Sequence, residues 1–112
     1  MNEIEMKYHT QVASLLIDIE STMRNSELWS DQRPSDAALM SQEPFCIDTL
    51  SFNQWLQFVF IEKMNALICA RQQLPEKCDI APMAEEYFGQ TDLYPNELIA
   101  LLKKIDQLIT QA

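Results

Sequence analysis

The sequence predicts an all-α fold: an antiparallel bundle of three to four helices with a long interhelix loop in its N-terminal half. Three observations carry this. Apolar residues recur at helical spacing wherever the chain shows a period at all. Prolines and capping residues fall at the edges of those periodic stretches and not inside them. The 112 residues, 47% hydrophobic, suit one domain, 1–112. A chain of this length hides roughly two-thirds of its unfolded surface on folding, so it needs no disulfide, metal or partner to do so.

At about 100° per residue, Tyr8, Val12, Leu15, Leu16, Ile19 and Met23 fall on one stripe, which defines the first helix. Glu3 and Glu5 near its start and Arg24 near its end complement the helix dipole. Ile17 lies on the far side, where together with Met6 it forms a minor apolar patch. From Asn25 to Leu50 the period is lost and Ser, Asp and Pro cluster. Only a short helix fits there, capped by Ser35 and running through Asp36 to Met40 before Pro44. The loop also carries Trp29, Phe45 and Ile47, side chains that a disordered linker disfavours, so it is expected to pack on the bundle.

Ser51 with Gln54 forms a capping-box pattern, flanked by Leu50 and Trp55 at the staple positions. The helix it opens is expected to run from Phe52 to about Arg71, with Pro75 beyond. Leu56, Val59, Phe60 and Leu67 make one side, while Phe58, Ile61 and Ile68 point elsewhere, so this helix is expected to be covered on several sides. Lys63 projects among Val59, Phe60 and Leu67, where a charge must reach water or a carboxylate. Pro82 suits the first turn of a short helix through Phe88, with Gly89, the only glycine, expected as a left-handed C-terminal cap. Pro95 opens the last helix, where Leu98, Leu101, Leu102, Ile105, Leu108 and Ile109 repeat helically opposite Lys103, Lys104 and Gln107.

Seventeen acidic against eight basic residues give a net charge of −9, which opposes direct nucleic-acid binding and anionic membrane surfaces. Cys46, Cys69 and Cys78 show neither disulfide nor zinc spacing and read as reduced, inert thiols. Met1 to Lys7 lacks the apolar stretch that a secretory signal requires and no apolar run is long enough to span a membrane, so a cytoplasmic protein is expected.

The search for chemistry is negative. One glycine cannot build a phosphate-cradling loop. His9, the only histidine, offers at most a pair with Glu5 on an exposed helix edge and reads as a surface residue, so no metal ligand set is expected. Glu85 and Glu86 diverge by about 100° on a helix and make a poor acid–base pair. No catalytic residue and no cofactor is assigned, and the chain is not expected to be an enzyme.

The stretch Pro44-Phe45-Cys46-Ile47-Asp48-Thr49-Leu50, then Trp55-Leu56-Gln57-Phe58-Val59 and Lys63-Met64, resembles the YqcC-like family of small bacterial proteins. The likeness runs from about Leu28 to near the C-terminus and includes Leu74-Pro75 and Ala81-Pro82. It implies a helical bundle without an assigned activity. The genes of that family often lie beside one for a tRNA pseudouridine synthase, which implies that enzyme as a partner.

The function expected is therefore that of a small acidic accessory protein that binds another protein. The binding surface is expected on the Pro44–Leu50 segment and the exposed side of the central helix. Phe45 and Phe58 serve as apolar anchors, Gln57 as an orienting polar group, and Asp48, within reach of Lys63, holds the segment. Alternatively, Asp48 simply caps the turn through Thr49 and Leu50, and Phe45 is equally expected as a core residue. A second class of function is a ligand-binding or enzymatic bundle with a pocket near Trp55 and Lys63. A third is an acidic mimic of RNA, which requires carboxylates gathered on one face.

Overall fold

The computed structural model describes the backbone of residues 3–90 and 95–111 and the side chains of residues 8–90 and 95–110. Among these, every regular element is helical. Helix α1 is Glu3–Asn25, α2 is Asp36–Leu39 and a 3-10 turn covers Pro44–Cys46. One continuous central helix follows, made of α3 (Phe52–Trp55), a π-helical stretch (Leu56–Ile61) and α4 (Glu62–Cys69). Then come α5 (Ala81–Gly89) and α6 (Asn96–Gln111).

The predicted stripe of α1 supplies its core face: Val12, Leu16, Ile19 and Met23 are buried and Tyr8 and Leu15 half-buried. This face packs chiefly on α6 and also meets α4. Leu98, Leu102, Ile105 and Ile109 of α6 are buried with it, while Lys103, Lys104 and Gln107 face out. Ile17 is 69% exposed, and the side chains of Glu3, Glu5 and Met6 lie outside the described residues.

The two long helices end alike. After α1, the N–H of Leu28 donates to Met23 and that of Glu27 to Arg24; after α4, the N–H of Gln72 donates to Leu67 and that of Arg71 to Ile68. Both are Schellman motifs. Their left-handed residues are Glu27 (φ 60°) and Arg71 (φ 55°), side chains that cost more in this conformation than glycine. Gly89 is not used in this way. It has a negative φ and belongs to α5, which closes on Gln90 (φ −98°), so the expected glycine cap is corrected.

The capping box is present: the Ser51 N–H donates to Gln54 Oε1 at 2.9 Å, and the Gln54 N–H donates to Ser51 Oγ at 3.3 Å. Ser35 caps α2 through the N–H of Ala38 at 3.2 Å. The central helix then departs from the simple α-helix expected. Phe52, Leu56, Phe60 and Met64 are all buried at steps of four. At about 100° per residue three such steps drift by about 120°, off a single face. The wider π turns at Leu56–Ile61 absorb the drift, which is why the α period there had no clean polar side.

His9 is the clearest correction. It is 5% exposed, and its Nε2 donates to the Gln72 carbonyl oxygen at 2.6 Å, joining α1 to the end of α4. The exposed edge assigned to it is covered by the chain returning after Arg71.

Candidate functional site

The loop between α1 and the central helix is fastened by side chains of that helix. Gln57 is 6% exposed; its Oε1 accepts the Ser30 N–H at 2.8 Å and its Nε2 donates to the Ser30 carbonyl at 2.9 Å. Asn53 Nδ2 donates to the Leu28 carbonyl at 3.3 Å. A buried carboxamide satisfied at both ends is not available to a partner, so Gln57 holds the loop and is not an exposed orienting group. Phe58 is half-buried with the Arg33 guanidinium 5.8 Å from its ring centroid, and Arg33 also pairs with Glu62 at 2.7 Å. That pair holds the Arg33 charge more firmly than usual, first through its hydrogen bond to Glu62.

Asp48 and Lys63 do not pair. Asp48 Oδ1 accepts from Ser41 Oγ, and Lys63 is exposed. Nor does Asp48 close the turn through Thr49 and Leu50, whose N–H groups both donate to the Cys46 carbonyl. Of the five residues expected to form one binding surface, Phe45 alone lines the groove described next, and the structure does not gather the others around it.

That groove lies between the Pro44–Leu50 segment, the central helix and α5. Phe45, Trp55, Phe60, Ile80 and Met83 line a cleft of about 640 Å³ that opens broadly to solvent. A smaller hollow of about 110 Å³ shares Phe45 and Met83 and reaches Ile47, Leu50, Phe52 and Tyr87. The π-helical stretch shapes its floor: five residues apart, Trp55 and Phe60 stack with ring centroids 5.8 Å apart. In a regular α-helix residues so spaced diverge by about 140°, which would separate the two rings. Phe45 meets Trp55 edge-on at 4.8 Å. It is set there by a turn in which Phe45 (φ 57°) and Cys46 (φ 50°) are both left-handed. Thr49 Oγ1 anchors the same segment to the Ala38 carbonyl at 2.7 Å.

Trp55, named for the alternative pocket, is on this cleft, and Lys63 is not; the charged groups at the cleft are Lys77, Asp79 and Glu86. The far wall depends on a buried carboxylate absent from every sequence expectation. Asp106, 9% exposed, accepts from the N–H of Ile80 and Ala81 and so caps α5 from α6. Thr110 binds both the N–H (3.2 Å) and the carbonyl (3.1 Å) of Cys78. Burial, and secondarily Asp106, pushes the Cys78 thiol well above its ordinary value of 9.0, which disfavours the reactive thiolate. Among the described residues no three His, Cys, Asp or Glu side chains are placed to hold a metal ion, and no helix is long and apolar enough to cross a membrane.

An all-α domain with an open apolar groove defines a class of small helical bundles. The chain belongs to the family DUF446, described as "tRNA pseudouridine synthase C", which matches residues 11–108. It is 42% identical over 92 residues to an uncharacterized protein of Haemophilus influenzae, covering 82% of this chain and 83% of that one. It is 30% identical over 103 residues to the uncharacterized protein YqcC of Escherichia coli, covering 92% and 94%. The solution NMR structure of that YqcC superposes with a TM-score of 0.78 over 92% of this chain and 88% of the other, so the bundle is shared. A third relative, from Pectobacterium carotovorum, is named tRNA pseudouridine synthase C; it is 40% identical over 70 residues, which are 62% of this chain and only 19% of that protein.

Proposed function

We infer that this chain is an accessory protein of a tRNA pseudouridine synthase, acting in the cytoplasm by binding the enzyme and not by performing chemistry itself. The observation that carries this is the Pectobacterium relative: a stretch resembling this chain occupies about a fifth of a polypeptide named for the synthase. Two units on one polypeptide meet at an effective concentration of roughly millimolar, so a weak association suffices there. As a separate chain, the accessory unit needs a contact surface of its own.

The net charge of −9 supports the same reading. It disfavours contact with the tRNA backbone and favours approach to an enzyme whose surface is basic enough to hold RNA. The groove is too open to enclose a small molecule, and Lys63 stands away from it, which weighs against the ligand-binding alternative.

The test is titration calorimetry of the purified chain into the synthase of the same organism, followed by pseudouridine formation on tRNA with and without the chain. A saturable complex is expected, with altered turnover or tRNA affinity. Absence of heat and of co-elution at about 10 μM, where a micromolar complex would form, removes the reading.

A further inference from the structure

Resting on that reading, we propose that the groove between Phe45, Trp55 and Met83 is the docking site for a basic amphipathic segment of the synthase, with bulky apolar side chains flanked by Arg or Lys. Three independent features converge on it. The larger cleft and the smaller hollow adjoin at Phe45 and Met83, and both are lined mainly by apolar side chains. At its outer end the groove carries two of the four large apolar side chains that are exposed among the described residues, Ile47 at 65% and Tyr87 at 36%.

The second feature is charge. Asp79 and Glu86 stand at the cleft against one base, Lys77, on a chain whose net charge is −9. An apolar trough edged by carboxylates selects an apolar segment with positive flanks, and it repels RNA and a second copy of this acidic chain.

The third is strain. Two consecutive left-handed residues, neither of them glycine, hold Phe45 against Trp55, and a π-helical stretch places Trp55 over Phe60. Such conformations persist only where the surrounding structure over-determines them, and they gather at binding sites. Both departures from regular backbone here shape the same groove. Pre-set aromatic side chains bind with little loss of rotamer freedom, which suits an anchor pocket.

The experiment is calorimetry of the wild-type chain and of Met83→Glu, Ile47→Glu, Glu86→Lys and Ile17→Glu against the synthase, each variant first checked for unchanged thermal unfolding. Ile47 is exposed enough to accept a charge without disturbing the core, so it keeps the test informative should Met83→Glu unfold. Met83→Glu and Ile47→Glu are expected to weaken binding about tenfold or more, as loss of a central contact does. Glu86→Lys should weaken it severalfold at about 10 mM salt and much less at about 1 M, where the Debye length is near 3 Å. Ile17→Glu, on the far face of α1, should bind as wild type. A wild-type complex that all groove variants form equally well overturns this inference and leaves the accessory reading standing. Failure of the wild type to bind overturns the accessory reading and this inference with it. Self-association abolished by Ile47→Glu, or binding to tRNA alone, would assign the groove another occupant and also overturn the proposal.

Discussion

Asp106 caps Ala81: its Oδ2 accepts the Ala81 N–H at 2.7 Å, and both its oxygens accept the Ile80 N–H at 2.9 Å. A carboxylate on α6 therefore satisfies the buried, otherwise unpaired donors at the start of α5 and favours the positive end of that helix, a task usually left to a residue adjacent in sequence. Asp106→Ala should lower stability by about 2–3 kcal/mol, because buried N–H groups lose a charged acceptor. Asp106→Asn should lose less, since one carbonyl oxygen remains. Urea titration measures both, and wild-type stability for the alanine variant would contradict the cap.

Gln57 makes a contrasting prediction, because it faces the loop and not a partner. Gln57→Ala should cost about 1–3 kcal/mol by stranding the Ser30 N–H and carbonyl. It should also loosen the segment carrying Trp29, which now rests under the Arg24 guanidinium at 4.8 Å. Limited proteolysis between residues 30 and 50 is expected to quicken. Unchanged cleavage alongside unchanged stability would show that the latch is idle.

The helix ends make a prediction of opposite sign. Glu27→Gly and Arg71→Gly should each raise stability by about 0.5–1 kcal/mol, since glycine adopts φ near +60° without the clash of a Cβ. Gly89→Ala should also stabilise, by about 0.5–1 kcal/mol, because Gly89 is helical with nothing within 4 Å of where a Cβ would stand. Thermal melts rank the three. A loss of stability in Gly89→Ala would mean that its helical assignment is wrong.

The thiols should separate by rate. Cys69 is exposed, Cys46 buried and Cys78 half-buried with its proton held by burial and by Asp106. A chromogenic disulfide reagent at pH 8 should find one fast thiol, lost in Cys69→Ser, and two slow ones. Because the folded value of Cys78 is raised, the unfolded chain releases this proton first as pH climbs through 9.0. Stability from this group is therefore full below that pH and falls above it. Cys78→Ser should flatten the decline seen between pH 9 and 11.

The sequence alone determined several features whose partners sit within one helical turn, although not the left-handed helix ends at Glu27 and Arg71. The α1 stripe, the Ser51–Gln54 box, the Ser35 cap and the apolar face of α6 are interactions between residues three or four apart, and such spacing is written directly into the order of residues. Tertiary structure decided the rest. His9 meets a carbonyl 63 positions away, Gln57 one 27 away, and Asp106 donors 25 and 26 away, so each looked like an ordinary polar residue on a helix surface. The π-helical stretch and the left-handed Phe45 were equally hidden, because no local preference asks for them. They exist because Phe52, Leu56, Phe60 and Met64 must all be buried at once while Phe45 closes on Trp55. The groove was legible only as a scatter of aromatic letters; it became a site when packing against α5 and α6 placed those side chains along one trough.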